Sequence, residues 1–136
     1  MTLSPASSLG RWRLFFLVAA IYDIVLGIVF FFFGMAMFDW LGMAYPPHAS
    51  WFQLSAVFVL VQGISYAFVW AEPLGNLGLV RVGVLYKAGY DGLAAYYLVT
   101  DQIPAMFFAW FGLFDFVFFI GFVLFLRWAR RAVPPR

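Results

Sequence analysis

Five polar side chains could do chemistry in an otherwise apolar chain: Asp23, Gln62, Lys87, Asp91 and Asp115. Each lies near the middle of a long hydrophobic run, where an ion costs roughly 3 kcal/mol on insertion-type scales. Lys87 and Asp91 are four residues apart and can pair along one helix face, although lysine ahead of the acid is the weaker order. That pairing leaves Asp23 and Asp115 without an evident partner. Two ionised carboxylates in a thin low-dielectric layer repel each other and lose hydration. A proton or a cation is therefore expected to neutralise one of them, which is the chemistry of a proton- or cation-linked site. Gln62 and Tyr90 would supply neutral hydrogen-bonding lining. The plainer reading stays open, because polar groups in helical membrane bundles also act as interhelical glue worth about 0.6–2 kcal/mol each. For Gln62 and Ser65, glue is the simpler account.

The elements that must position these groups follow from composition. Of 136 residues, 66% are hydrophobic, 24% aromatic and only 10% charged, and the mean hydropathy is +0.97. A soluble domain of this size would have too little polar surface to cover itself. The expected class is a single-domain integral membrane protein. With no cysteine, disulfides, thiolate metal sites and thiol redox chemistry are excluded. The single histidine, His48, falls in a loop, so no metal site and no cofactor is expected. The basic isoelectric point of about 9.2 comes from arginines at the ends of apolar runs and does not point to nucleic acid.

Four hydrophobic runs predict membrane-spanning helices over about 12–38, 51–71, 77–99 and 103–128, with flexible tails at 1–10 and 129–136. The first run is too long for a signal-peptide core and no A-x-A-like site ends it. Ala19, Ala20, Gly27 and Gly34 share the helical face of Asp23, a small-residue stripe that marks a packed surface. The third run is the most demanding, since Lys87 and Asp91 offset what its leucines and valines gain from lipid. It is expected to be the inner helix. The loop DWLGMAYPPHAS and the turn TDQIP carry no lysine or arginine, while Arg11, Arg13, Arg81, Arg127, Arg130, Arg131 and Arg136 all fall at the other span ends. The positive-inside rule then places both termini in the cytoplasm. The expected architecture is an all-α, antiparallel four-transmembrane-helix bundle in a cytoplasmic (inner) membrane, its first partner the lipid bilayer.

Aromatic residues add a second layer. Tyr22, Tyr90 and Phe114 each directly precede an aspartate, and Phe108, Phe111, Phe119 and Phe122 share the Asp115 face. An aromatic wall beside a carboxylate suits a small hydrophobic or cationic ligand, although packing and lipid contact explain phenylalanines equally well. Leu85, Gly89, Gly92 and Tyr96 form a second face of the third helix, opposite Lys87 and Asp91. Gly89 and Gly92 permit close backbone approach there, which hints at a homo-oligomer.

The segment GISYAFVWAEPLGNLGLVRVGVLYKAGYDGLAAYYL, joining the second and third spans, resembles the small bacterial four-helix membrane proteins of the DoxX-like kind. The likeness lies in a glycine-bearing second span, a short acidic-proline return and a Gly/Lys-bearing third span. It implies the same fold and orientation, and it transfers no catalytic residue. Three functions are weighed. The leading one is a binding or transport protein with a titratable mid-membrane site at Asp23 and Asp115, tuned by Lys87 and Asp91. The second is a non-catalytic accessory subunit or assembly factor of a membrane enzyme complex. The third is an enzyme acting on a lipid or quinone-like substrate with Lys87 and Asp91 as its acid/base pair; no nucleophile-base arrangement accompanies them.

Overall fold

The computed structural model describes residues 5–132, with side chains from Ser8 onward. Among the described residues every element is helical: α1 (Pro5–Leu41), α2 (Ala49–Ala71), α3 (Leu77–Val99) and α4 (Ala105–Ala132). Three of these, α1, α2 and α4, are long and apolar enough to cross a membrane. The chain is thus an all-helical membrane protein. Helix α3 matches α2 in length at 23 residues, but Arg81, Lys87 and Asp91 make it the polar member of the set.

Both ends of α1, the start of α2 and the end of α4 lie further out than hydrophobicity alone suggests, while α3 keeps the expected 77–99 and α4 begins slightly later than expected, at Ala105. Helix α1 starts at Pro5, inside what the sequence reads as a tail, because proline suits a first helical position whose N–H has no partner anyway. It runs on past Phe38 to Leu41, where Gly42 takes a left-handed φ of 66°. The Met43 N–H then bonds the Phe38 carbonyl at 2.9 Å, closing the helix with a glycine stop. Helix α4 likewise continues to Ala132, with Arg130 and Arg131 in its last turn, where positive charge suits the helix dipole. Residues 133–136, with Arg136, lie outside the described residues. Between α2 and α3, the Asn76 amide donates to the carbonyls of Phe68 and Glu72, at 3.1 and 3.0 Å, and ties off the end of α2.

Helices α1 and α2 pack closely along their length, and α3 packs mainly on α4. The α1–α2 contact depends on glycine from both sides. A Cβ on Gly27 would stand 2.8 Å from the Leu60 backbone nitrogen, and one on Gly63 would stand 2.7 Å from that of Ile24. The small-residue stripe expected on α1 is therefore a packed face, with Ala19, Ala20, Gly27 and Gly34 all buried.

The antiparallel path gathers the described arginines at one end of the bundle, called here the basic end. Arg13 Nε donates to the Trp70 carbonyl at 3.0 Å and so joins the start of α1 to the finish of α2. At this end the interior is solid. Phe16, Tyr66, Val69, Val80, Phe122 and Phe125 are each fully buried. The Phe16 ring lies 5.3 Å from that of Phe122 and 4.9 Å from that of Phe125, while Tyr66 meets Phe122 edge-on at 4.7 Å. Such aromatic pairs add about 0.5–1.5 kcal/mol each beyond simple burial.

The opposite, loop end is hollow. Two backbone irregularities accompany the hollow: α1 departs from helical geometry at Phe33 (φ −121°, ψ 17°), and α4 makes a π-helical turn over Phe108–Gly112. In that turn the Leu113 N–H bonds the Phe108 carbonyl, five residues back. π-turns of this kind concentrate at functional sites.

Candidate functional site

Where the solid half meets the hollow half, three charged side chains from three helices converge. Lys87 of α3 is completely buried, and its Nζ donates to Asp115 Oδ1 of α4 at 2.7 Å and to Asp23 Oδ2 of α1 at 3.4 Å. Asp23 and Asp115 are 2% and 6% exposed. The ammonium also lies within 5.5–5.8 Å of the rings of Phe118, Tyr66 and Tyr86, close enough for cation–π attraction. A buried ion pair survives only when both partners are closely coordinated. Here one cation serves two anions, and the cluster keeps one negative charge in excess when all three groups are ionised.

Lys87 does not pair with Asp91, as its spacing on the sequence suggests; it pairs with Asp115 and Asp23, the two acids the sequence leaves without a partner. The reason is geometric. Two carboxylates from neighbouring helices reach the ammonium together, whereas Asp91 offers one, in the less favourable i, i+4 order. Asp91 keeps both carboxylate oxygens enclosed, and neither accepts a hydrogen bond. Gln62 also stays on its own helix, donating to the Tyr66 hydroxyl at 3.1 Å, and it touches the cluster only through the Tyr66 ring. Ser65 bonds the Val61 carbonyl one turn back.

A cavity of about 350 Å³ opens from this cluster toward the loop end. Asp23, Asp115, Tyr86 and Tyr90 line it near the charged cluster, Phe30, Phe52 and Phe111 form part of its walls, and Met43 and Pro46 of the α1–α2 connection lie at its outer end with Trp51 of the first turn of α2. Its surface is almost wholly apolar apart from the carboxylates and tyrosines. Asp23 Oδ1 and Asp115 Oδ2, the oxygens that do not hold Lys87, accept no hydrogen bond from any described residue. The hydroxyls of Tyr86 and Tyr90 likewise make none among the described residues. Pockets that hold small molecules have this character, apolar walls with a few convergent polar groups.

The π-turn decides which aromatics reach the cavity. An unbroken α-helix puts Phe108 with Phe111 on the Asp115 face. One extra residue in the turn rotates Phe107 into the lining and turns Phe108 back onto Gly112, whose Cβ position lies 2.8 Å from the Phe108 ring. Below Asp115, Phe118 takes the buried position expected of Phe119, which is only half-buried. The residues that precede the two paired acids also meet: the Tyr22 and Phe114 rings lie 6.0 Å apart, and the Tyr22 hydroxyl donates to the Trp110 carbonyl inside the π-turn at 3.3 Å.

The second face of α3 is open. Nothing approaches within 4 Å of a Cβ placed on Gly89 or Gly92, and Leu85 and Tyr96 are exposed beside them. Among the described residues no group of three or more His, Asp or Glu side chains is placed to hold a metal ion. In comparisons with known proteins, no family model, no curated protein and no solved structure matches the chain.

Proposed function

We propose that this is a four-pass protein of a bacterial cytoplasmic membrane, with both termini inside, that binds or transports a small hydrophobic or cationic ligand at a proton- or cation-linked site. The orientation rests on the clustering of arginine at one end of the bundle and its absence from the two opposite connections. One observation carries the functional reading: an apolar cavity reaches a buried pair of carboxylates, from different helices, that share a single ammonium. Such a group exists in one of two charge states. Either it keeps its excess negative charge, or a proton or cationic ligand cancels it, so occupancy and proton uptake are linked. Asp23 and Asp115 are the titrating pair and Lys87 sets their charge balance. Tyr90, with Tyr86, supplies neutral polar lining; Gln62 steadies Tyr66 beneath the site.

The test is ligand binding or flux in reconstituted vesicles as a function of pH. Wild-type protein should show an apparent midpoint, and Asp115→Asn should abolish the pH dependence. If Asp23→Asn and Asp115→Asn both leave the pH profile of the wild type intact, the site does not work in this way.

A second reading draws on the open α3 face. Exposed glycines on a helix admit close approach by another helix, so the bundle could serve as an accessory subunit or as a homo-oligomer joined through Gly89 and Gly92. Function that survives Asp115→Asn but is lost in Gly89→Ile would favour that reading.

A further inference from the structure

Asp91 is the one mid-helix charge without a role in the cluster as it stands. Its two oxygens are enclosed, accept no hydrogen bond, and belong to the residue one turn along α3 from Lys87. A carboxylate in such surroundings lacks the compensation that burial demands. Lys87, four residues back, is within the span that i, i+4 side chains bridge. The same shortage of donors occurs at the cavity, where Asp23 Oδ1 and Asp115 Oδ2 have none although their residues are more than nine-tenths buried. One cation therefore stands among three carboxylates. The groups that face it are otherwise neutral, the rings of Tyr66 from α2, Tyr86 from its own helix and Phe118 from α4. The described arginines are at the helix ends, away from this layer.

We propose that the cavity takes an apolar organic monocation whose ammonium-type head binds Asp23 and Asp115 while Lys87 hands over to Asp91. The proposal rests on the binding function above and names its ligand class. A second cation at this level brings two positive charges to three negative ones, whereas a neutral ligand leaves the imbalance and an anion deepens it. The walls fit the same class. Phe30, Phe52, Phe107, Phe111, Tyr86 and Tyr90 line the space with aromatic side chains, which suit a hydrocarbon body and can attract a cationic head. A small hydrated ion would leave those walls unused. Asp91 then acts as a positioning residue: it does not touch the ligand, and it receives the lysine that the ligand displaces.

Lys87 is the only lysine in the chain, so a protein labelled with nitrogen-15 lysine gives a single side-chain signal. The experiment uses the full chain in phosphatidylcholine nanodiscs, with empty nanodiscs subtracted. Three probes of equal length are compared, 4-phenylbutylammonium, 4-phenylbutanol and 4-phenylbutyrate, with sodium chloride as the inorganic control. The ammonium probe should bind about tenfold or more tighter than the alcohol, and the carboxylate not at all, as expected of a site built around unpaired acceptors. Only the ammonium probe should move the lysine signal. In Asp91→Asn the affinity for the ammonium probe should fall about tenfold, because the displaced lysine has nowhere to go, and Lys87→Gln/Asp91→Asn should restore it. Alcohol or carboxylate binding as tight as the ammonium probe overturns the ligand class. A lysine signal that stays in place at saturating ammonium probe overturns the handover, and both readings come from wild-type protein. If the three probes bind alike while the pH dependence still requires Asp115, this inference fails and the proposed function stands. If neither probe binding nor pH dependence is found, both fail.

Discussion

Lys87 Nζ donates to Asp115 Oδ1 at 2.7 Å across the α3–α4 contact, and its nearer neighbour in sequence, Asp91, receives nothing. The bundle is therefore held at its middle by a bond between helices where sequence spacing suggests one within a helix.

Removing one member of a buried ion cluster strands the others. Lys87→Met should destabilise the bundle by about 3–5 kcal/mol, because two enclosed carboxylates lose their counter-charge. Replacing all three together, as Asp23→Leu, Lys87→Met and Asp115→Leu, should return stability to wild type or above it and abolish ligand binding. Thermal unfolding in detergent checks the first effect and the recovery. A triple variant less stable than Lys87→Met would show that the cluster is needed for folding in itself.

The two kinds of glycine should respond in opposite ways. Gly27→Val and Gly63→Val force the α1 and α2 backbones apart and should each cost about 1–3 kcal/mol through overpacking. Gly89→Ala and Gly92→Ala meet open space and should gain about 0.5–1 kcal/mol from helix propensity. Unfolding midpoints of the four variants, measured side by side, decide the matter. Loss of stability in the second pair would mean that a partner helix occupies that face.

Filling the hollow half should block the site without touching its charges. Ala56 is buried in the cavity wall, and Ala56→Trp projects an indole into the space. Binding of the ammonium probe should weaken about tenfold or more, roughly 1.4 kcal/mol, while helix content and the lysine signal of the unliganded protein stay as in wild type. Unchanged affinity would place the ligand elsewhere.

The α1–α2 connection carries a local pH response. The Tyr45 hydroxyl donates to Asp39 Oδ1. That hydrogen bond, reinforced by the negative charge of Asp39, holds the tyrosine pKa above its usual value near 10.0. For an acid whose folded pKa is raised, the stabilising contact is complete below the unfolded pKa and is lost as pH climbs through the folded one. Ultraviolet titration of wild type against Tyr45→Phe isolates this group, and Asp39→Asn should bring its midpoint down toward the ordinary tyrosine range. An identical midpoint in Asp39→Asn would rule out the contact in solution.

Much of this arrangement could be read from the chain. Asp23, Lys87 and Asp115 each interrupt an apolar run near its midpoint, and antiparallel neighbours of similar length bring midpoints to one level. The small-residue face of α1 followed from the 100° step between residues. The pairing within the cluster was not legible, because Lys87 has an acid at i+4 and only the packing of α3 against α4 shows that another acid is better placed. Phe108 falls on the Asp115 face by regular period, yet Phe107 lines the cavity in its place, for a similar reason. A regular helical period has no place for the extra residue at Phe108–Gly112, and the phenylalanines on either side carry no sequence mark of it. The cavity was likewise invisible. It is a difference between two halves of one bundle, accompanied by the π-turn and the break at Phe33, and apolar residues that line a void look like apolar residues that fill one.

A bundle solid in one half and hollow in the other divides a transmembrane voltage unequally. Wherever water fills the hollow half, most of the field falls across the aromatic layer of Phe16, Tyr66, Phe122 and Phe125, where a charge crossing the full potential gains or loses about 2.3 kcal/mol per 100 mV. For a cation carried as proposed, Asp23 and Asp115 would then be reached from the loop side almost without electrical work, and the membrane potential would act chiefly on its departure through the other side.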